Sequence, residues 1–185
     1  ASESRQLTHS PLGLMTSMTD ARGNTYHYEY DSLGYLTKDL DPVGGFTAIT
    51  RAYDSTGYTV TATTAMGKVT KYRVDQLRDG SKQFTTTDPN GLKTTTSDAT
   101  NGTATSTAPN GMQTPTEQKP DPRYGMQSPL GNLAVKTPGG LQSNVNQFRK
   151  ITQVSGTAVT GLTDSILVNS KVFKTHWDGN ERFNS

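Results

Sequence analysis

The chain has 185 residues, a length typical of one domain, and no cysteine, which excludes a disulfide framework, a Cys-based zinc site and a cysteine nucleophile. Its 18 Lys plus Arg against 16 Asp plus Glu leave a formal charge of +2, too balanced for an electrostatic nucleic-acid footprint. Hydrophobic residues make up 30% of the chain, or about 35% when tyrosine is exchanged for glycine to match the usual definition, against roughly 45 to 50% in an ordinary globular domain. Disordered chains are similarly poor in apolar residues, but they also avoid aromatic and β-branched residues and tend to a large net charge. Here threonine alone supplies roughly a sixth of the chain, which favours strands. The composition describes a β-rich chain without the material for a dense centre.

From the N-terminus onward the chain is punctuated by turn signals. They read Ser10-Pro11-Leu12-Gly13, Asp20-Ala21-Arg22-Gly23, Asp41-Pro42-Val43-Gly44, Thr64-Ala65-Met66-Gly67, Asp88-Pro89-Asn90-Gly91, Ala108-Pro109-Asn110-Gly111 and Ser128-Pro129-Leu130-Gly131. From Gly23 the glycines advance by about 20 to 24 residues, and a second series, Gly34, Gly57, Gly80 and Gly102, falls roughly half a period later. One repeat is therefore two turns and two strands. Proline presets φ for the first central position of a β-turn and glycine supplies positive φ or a tight exit. Tyr30-Asp31-Ser32-Leu33-Gly34 and Tyr53-Asp54-Ser55-Thr56-Gly57 are expected to turn through Asp, which bonds the backbone two residues onward, with Gly closing.

Between turns the residues alternate with a period of two. Tyr26, Tyr28 and Tyr30 share one face and Thr25, His27 and Glu29 the other; Tyr58, Val60 and Ala62 likewise oppose Thr59, Thr61 and Thr63. The segments are too short for typical helices. Thr94 to Pro122 is low in large apolar groups, and a loose loop is expected around Thr114 to Tyr124. Beyond Gly140 the rhythm lengthens, and Val168-Asn169-Ser170-Lys171 reads as a tight hairpin, with Asn tolerating the left-handed conformation. No apolar run approaches the roughly 18 residues of a membrane span. The polar start without Met leads to the expectation that both ends were cut from a longer polypeptide.

The motifs Tyr30-Asp31-x-x-Gly34-Tyr35-Leu36 and Tyr53-Asp54-x-x-Gly57, each followed about ten residues later by an Asp-Pro-x-Gly-like turn, the type seen at Asp41-Pro42-Val43-Gly44 and, further on, at Asp88-Pro89-Asn90-Gly91, resemble the tyrosine-aspartate (YD) repeats of Rhs (rearrangement hotspot) proteins. Val74-Asp75 and Thr100-Asn101-Gly102 stand where further Tyr-Asp copies would fall. The resemblance is strong over residues 18 to 75 and looser elsewhere. It implies residues 1–140 as YD/Rhs-type hairpin repeats and 141–185 as a divergent continuation of the same sheet. In Rhs proteins, the C components of bacterial toxin complexes and the teneurins, such hairpins form one long sheet that spirals into a hollow shell. In the bacterial members that shell encloses a C-terminal toxic domain before delivery, often through a type VI secretion system. The paired-Asp self-cleavage hallmark of the family is missing here.

The fold expected is all-β, with antiparallel β-hairpin repeats in a curved or spiralling single-layer sheet. The task expected is structural, without catalysis, cofactor or metal. Partners would be the rest of the same Rhs-type polypeptide and its toxin domain, a secretion-apparatus protein, or a second copy joining at unpaired edges. The location would be secreted or at a bacterial surface, with loading on a secretion apparatus in the cytoplasm before export. Tyr26, Tyr28, Tyr30 and Tyr35 could alternatively form a stacking platform in a glycan-binding module, although aromatic cross-strand pairs also stabilise exposed sheets. His9, His27 and His176 lack ligand spacing, and most Asp residues are already explained by turns.

Overall fold

A computed structural model describes residues 4–155 and 158–179. They form fifteen strands: β1 (Gln6–His9), β2 (Met15–Thr19), β3 (Thr25–Tyr30), β4 (Leu36–Leu40), β5 (Phe46–Tyr53), β6 (Gly57–Thr64), β7 (Val69–Gln76), β8 (Lys82–Thr87), β9 (Lys93–Asp98), β10 (Thr103–Thr107), β11 (Gln113–Asp121), β12 (Gly125–Lys136), β13 (Gln142–Ser155), β14 (Ala158–Val168) and β15 (Lys171–Asp178). Strand order follows chain order without a crossover, and among the described residues no segment is helical. The all-β antiparallel reading of the sequence is the one observed. Two compact units divide the chain, one holding the residues up to Gln76 with Phe84–Lys93, the other Leu77–Gln83 with the residues from Thr94 onward.

The turns explain why so polar a chain folds. In the Asp41 turn, the Asp41 amide donates to Gly45 O (2.9 Å) and the Gly44 amide to Asp41 O (3.3 Å), while Asp41 Oδ1 accepts from the amides of Val43 (2.9 Å) and Gly45 (2.8 Å). Four of the five turn residues thus have their N–H satisfied within the turn. The fifth, at position 42, is proline and has no N–H to satisfy. Asp88-Pro89-Asn90-Gly91 repeats the pattern through Asn90 and Leu92, and Asp20 and Asp31 do so with alanine and serine at the second position. Gly44 sits at φ +90° and Gly34 at +83°, the left-handed conformation that lets a three-residue loop close with a bulge.

Where the first residue carries no carboxylate, the acceptor moves. Ser10, Thr64 and Thr137 offer hydroxyls to the amides of Leu14, Lys68 and Leu141. In the Leu77, Ala99 and Ala108 turns, Asp79, Asn101 and Asn110 bond the amides of Ser81, Thr103 and Met112 instead.

Several expectations fail for identifiable reasons. Gly57 closes its turn, its carbonyl accepting from the Asp54 amide (3.0 Å), but without a left-handed conformation: it opens β6, opposite Asp75, and a Cβ there would stand 1.8 Å from Val74 O. Glycine is required at 57 for close backbone approach, and Asp54 Oδ1 holds the turn through the amides of Thr56 and Gly57. Val74-Asp75 is strand and not turn, with the reversal at Leu77–Gly80. Ser128–Gly131 lies inside β12, where Leu130 and Gly131 pair with Lys119 and Gln118 of β11. The expected loop at Thr114–Tyr124 is largely β11. The chain has already reversed at Asp121–Gly125, where Asp121 Oδ1 accepts from the amides of Arg123 (2.7 Å) and Tyr124 (3.3 Å) and Gly125 takes φ +59°. The hairpin at 168–171 is as read, with Val168 paired to Lys171 and Asn169 at φ +52°.

Within each unit strands pack on their chain neighbours, so apolar side chains gain shelter only from the strands beside them. Among the described residues a single apolar side chain, Leu162, is buried, at 8% exposure, between Ile151 and Trp177 on the flanking strands. Threonine and serine hydroxyls bridge strands instead, as in Thr19–Thr25 (2.9 Å) and Thr96–Ser106 (3.2 Å).

Candidate functional site

Register sorts the first unit into two unlike faces. Tyr28 lies opposite Asp39, Asp39 opposite Thr47, and the unbroken β5–β6–β7 ladder sets Arg51 beside Val60 and Tyr72, and Tyr53 beside Tyr58 and Val74. Alternation then places Tyr26, Tyr28, Tyr53, Tyr58 and Tyr72 on one face with Ile49 and Arg51. The opposite face of the same strands carries Thr59, Thr61, Thr63, Lys71, Arg73 and Asp75. Of the four tyrosines singled out from the sequence, Tyr26, Tyr28 and Tyr30 are half-buried and Tyr30 donates its hydroxyl to Met15 O (2.8 Å), while Tyr35 is the exposed member. Burial raises the Tyr28 phenol above its usual range, with Asp39 nearby adding to it.

On the tyrosine face, the Arg51 guanidinium stands 4.2 Å from the centre of the Tyr35 ring and 5.3 Å from that of Tyr58. It also donates to the Tyr53 hydroxyl (3.3 Å), and the Tyr53 and Tyr58 rings lie 5.9 Å apart at 48°. A groove of about 610 Å³ runs past these groups, walled by Leu33, Leu36, Ile49 and Val60.

The recurring turn acids behave differently from one another. Asp31, Asp41 and Asp88 are consumed by turn amides. Asp54 also pairs with Arg73, which is shared with Asp75 (2.5 Å). The Arg73 guanidinium holds both carboxyls below the usual range, and they in turn raise Arg73. Tyr30, Gly34, Tyr53, Pro42, Gly44, Pro89 and Gly91 occupy strand-end and turn positions of the repeat; they are not gathered into one cleft.

The second unit holds a centre that sequence reading missed. Asp121, only 2% exposed, receives Arg149 (2.8 Å) and Arg123 (3.4 Å), and Arg149 also grips Asp164 on β14 through two bonds of 2.6 Å. Burial pushes the Asp121 carboxyl up, but the Arg123 amide, the Arg149 and Arg123 guanidiniums and the Tyr124 amide outweigh it and hold the group at about 2 against an ordinary 3.8. Arg149 likewise lowers Asp164. The available signal was Asp121-Pro122-Arg123-Tyr124-Gly125, an Asp-Pro turn with its glycine one residue late. Every carboxylate in this centre is saturated by donors, which suits cross-linking of strands and leaves no free base. Among the described residues no cluster of His, Asp and Glu could hold a metal ion.

Among the described residues, a sheet of consecutive hairpins with bulged Asp-x-x-Gly turns and no filled core defines a hairpin-repeat wall. The chain belongs to the teneurin YD-shell family, whose family model matches residues 1–170. No curated protein matches it. The family makes this a structural, shell-type module.

Proposed function

We propose that the chain is a non-catalytic wall segment of an Rhs-type shell that encloses a C-terminal toxic effector until delivery into a target cell. The observation that carries this reading is the pairing of each strand with its chain neighbours around, among the described residues, almost no buried apolar group. Such a sheet draws its stability from backbone ladders and turn bonds, and its polar side chains resist adhesion of an unfolded or reactive cargo. The outer edges of β1 and β15 would be covered by flanking parts of the same polypeptide or by a second copy. Export to the cell surface or medium, through a secretion apparatus, follows from the same reading. Protease protection in the full-length polypeptide tests it. A downstream domain that resists digestion while the shell is folded supports enclosure; one digested at the rate of the free domain rejects it.

A second reading, a secreted glycan-binding module, draws on the exposure of Tyr53 (65%) and Tyr72 (47%). Glycan-array binding abolished by Tyr53→Ala or Tyr72→Ala would favour it over the shell.

A further inference from the structure

Three arginines lie on strands among the described residues, and two of them are fully compensated: Arg73 holds Asp54 and Asp75, and Arg149 holds Asp121 and Asp164. Arg51 holds no carboxylate. Its contacts are the faces of Tyr35 and Tyr58 and the Tyr53 hydroxyl. Asp31 lines the same groove, but its Oδ1 already accepts from the amides of Leu33 and Tyr35. A guanidinium stacked on aromatic rings keeps its edge N–H groups directed outward in a planar fork that matches a carboxylate. The guanidinium therefore lines, without a carboxylate paired to it, a groove with branched apolar walls.

We infer that this groove binds an acidic, extended polypeptide segment, with a side-chain carboxylate taken by Arg51 and flanking apolar side chains seated against Leu33, Leu36, Ile49 and Val60. A sugar fits less well, because stacking needs an open ring face and Arg51 already covers Tyr35 and Tyr58. An extended peptide projects every second side chain to one side, so apolar, acidic and apolar residues at i, i+2 and i+4 meet the groove together. The inference goes beyond the shell reading and holds whether or not a toxin is enclosed.

The test uses the full chain and two fluorescein-labelled, terminally blocked peptides, Leu-Thr-Asp-Thr-Leu and its Asn counterpart, titrated at low salt. The chain should prefer the Asp peptide by roughly tenfold, the worth of one charge-assisted hydrogen bond. Arg51→Gln should erase that preference and Arg51→Lys should keep part of it, with far-UV circular dichroism reporting that both variants fold. Independently of any variant, the Arg51 Nε–H resonance should shift on adding the Asp peptide and not the Asn peptide. Equal binding of the two peptides, no binding of either, or a preference that survives Arg51→Gln overturns the proposal. Binding of an oligogalacturonate in place of the peptides would also overturn it, in favour of a sugar site.

Discussion

Gly44 and Gly57 look alike in the sequence and are needed for opposite reasons. Gly44 takes φ +90° with open space around its missing Cβ, whereas Gly57 has no positive φ and a Cβ added there would stand 1.8 Å from Val74 O. Gly44→Ala should therefore cost about 1–2 kcal/mol of strain, and Gly44→Asn distinctly less, because Asn visits the left-handed region. At Gly57, Ala and Asn should be equally damaging, at least ~2 kcal/mol, since any Cβ displaces backbone. Urea denaturation of the four variants separates the two mechanisms, and a Gly57→Asn as mild as Gly44→Asn would refute the steric account. The turn acids were legible in the sequence because their chemistry is local, an Asp bonding amides two and four residues on. Gly57 was not, because the atom that forbids its side chain is 17 residues away.

At the scale of single elements, the Asp121 turn and the β13–β14 hairpin are the parts to perturb. Asp121 titrates at about 2 when folded against 3.8 ordinarily. A folded value below the unfolded one means that its contribution is complete above pH ~4 and is lost as pH falls toward 2. Thermal melts between pH 5 and 2 should show that decline, and Asp121→Asn should lower the plateau and flatten the profile, leaving the part due to the other carboxylates held below their usual range, Asp54, Asp75 and Asp164 among them. Leu162→Ala, at the one buried apolar side chain among the described residues, should cost roughly 2–5 kcal/mol. Equilibrium unfolding checks it, and a loss under 1 kcal/mol would mean that even this site is not a core. Strand alternation and the 168–171 hairpin could be read directly from period and turn residues. The Asp121 reversal could not, because Arg149 and Asp164, which help to fix it, lie 28 and 43 residues further along.

For the chain as a whole, a fold with little buried apolar surface should unfold with a small heat-capacity change. An ordinary protein of 185 residues would give about 2.2–2.8 kcal/mol/K. Calorimetry of this chain should return a clearly lower value, and a value inside that range would indicate apolar burial that neighbouring strands do not supply. Composition announced this property before any element was assigned, since 30% hydrophobic residues spread over fifteen strands leave few for any centre.

The bulged turns carry one more consequence, for kinetics. Each Asp-x-x-Gly turn fixes the register of its own hairpin using atoms within five residues, and each strand finds its partners next to it in the chain, so closure of these hairpins does not wait for a distant segment. Contact order is accordingly low for an all-β protein, and folding can proceed hairpin by hairpin as the chain leaves a ribosome or a translocation channel.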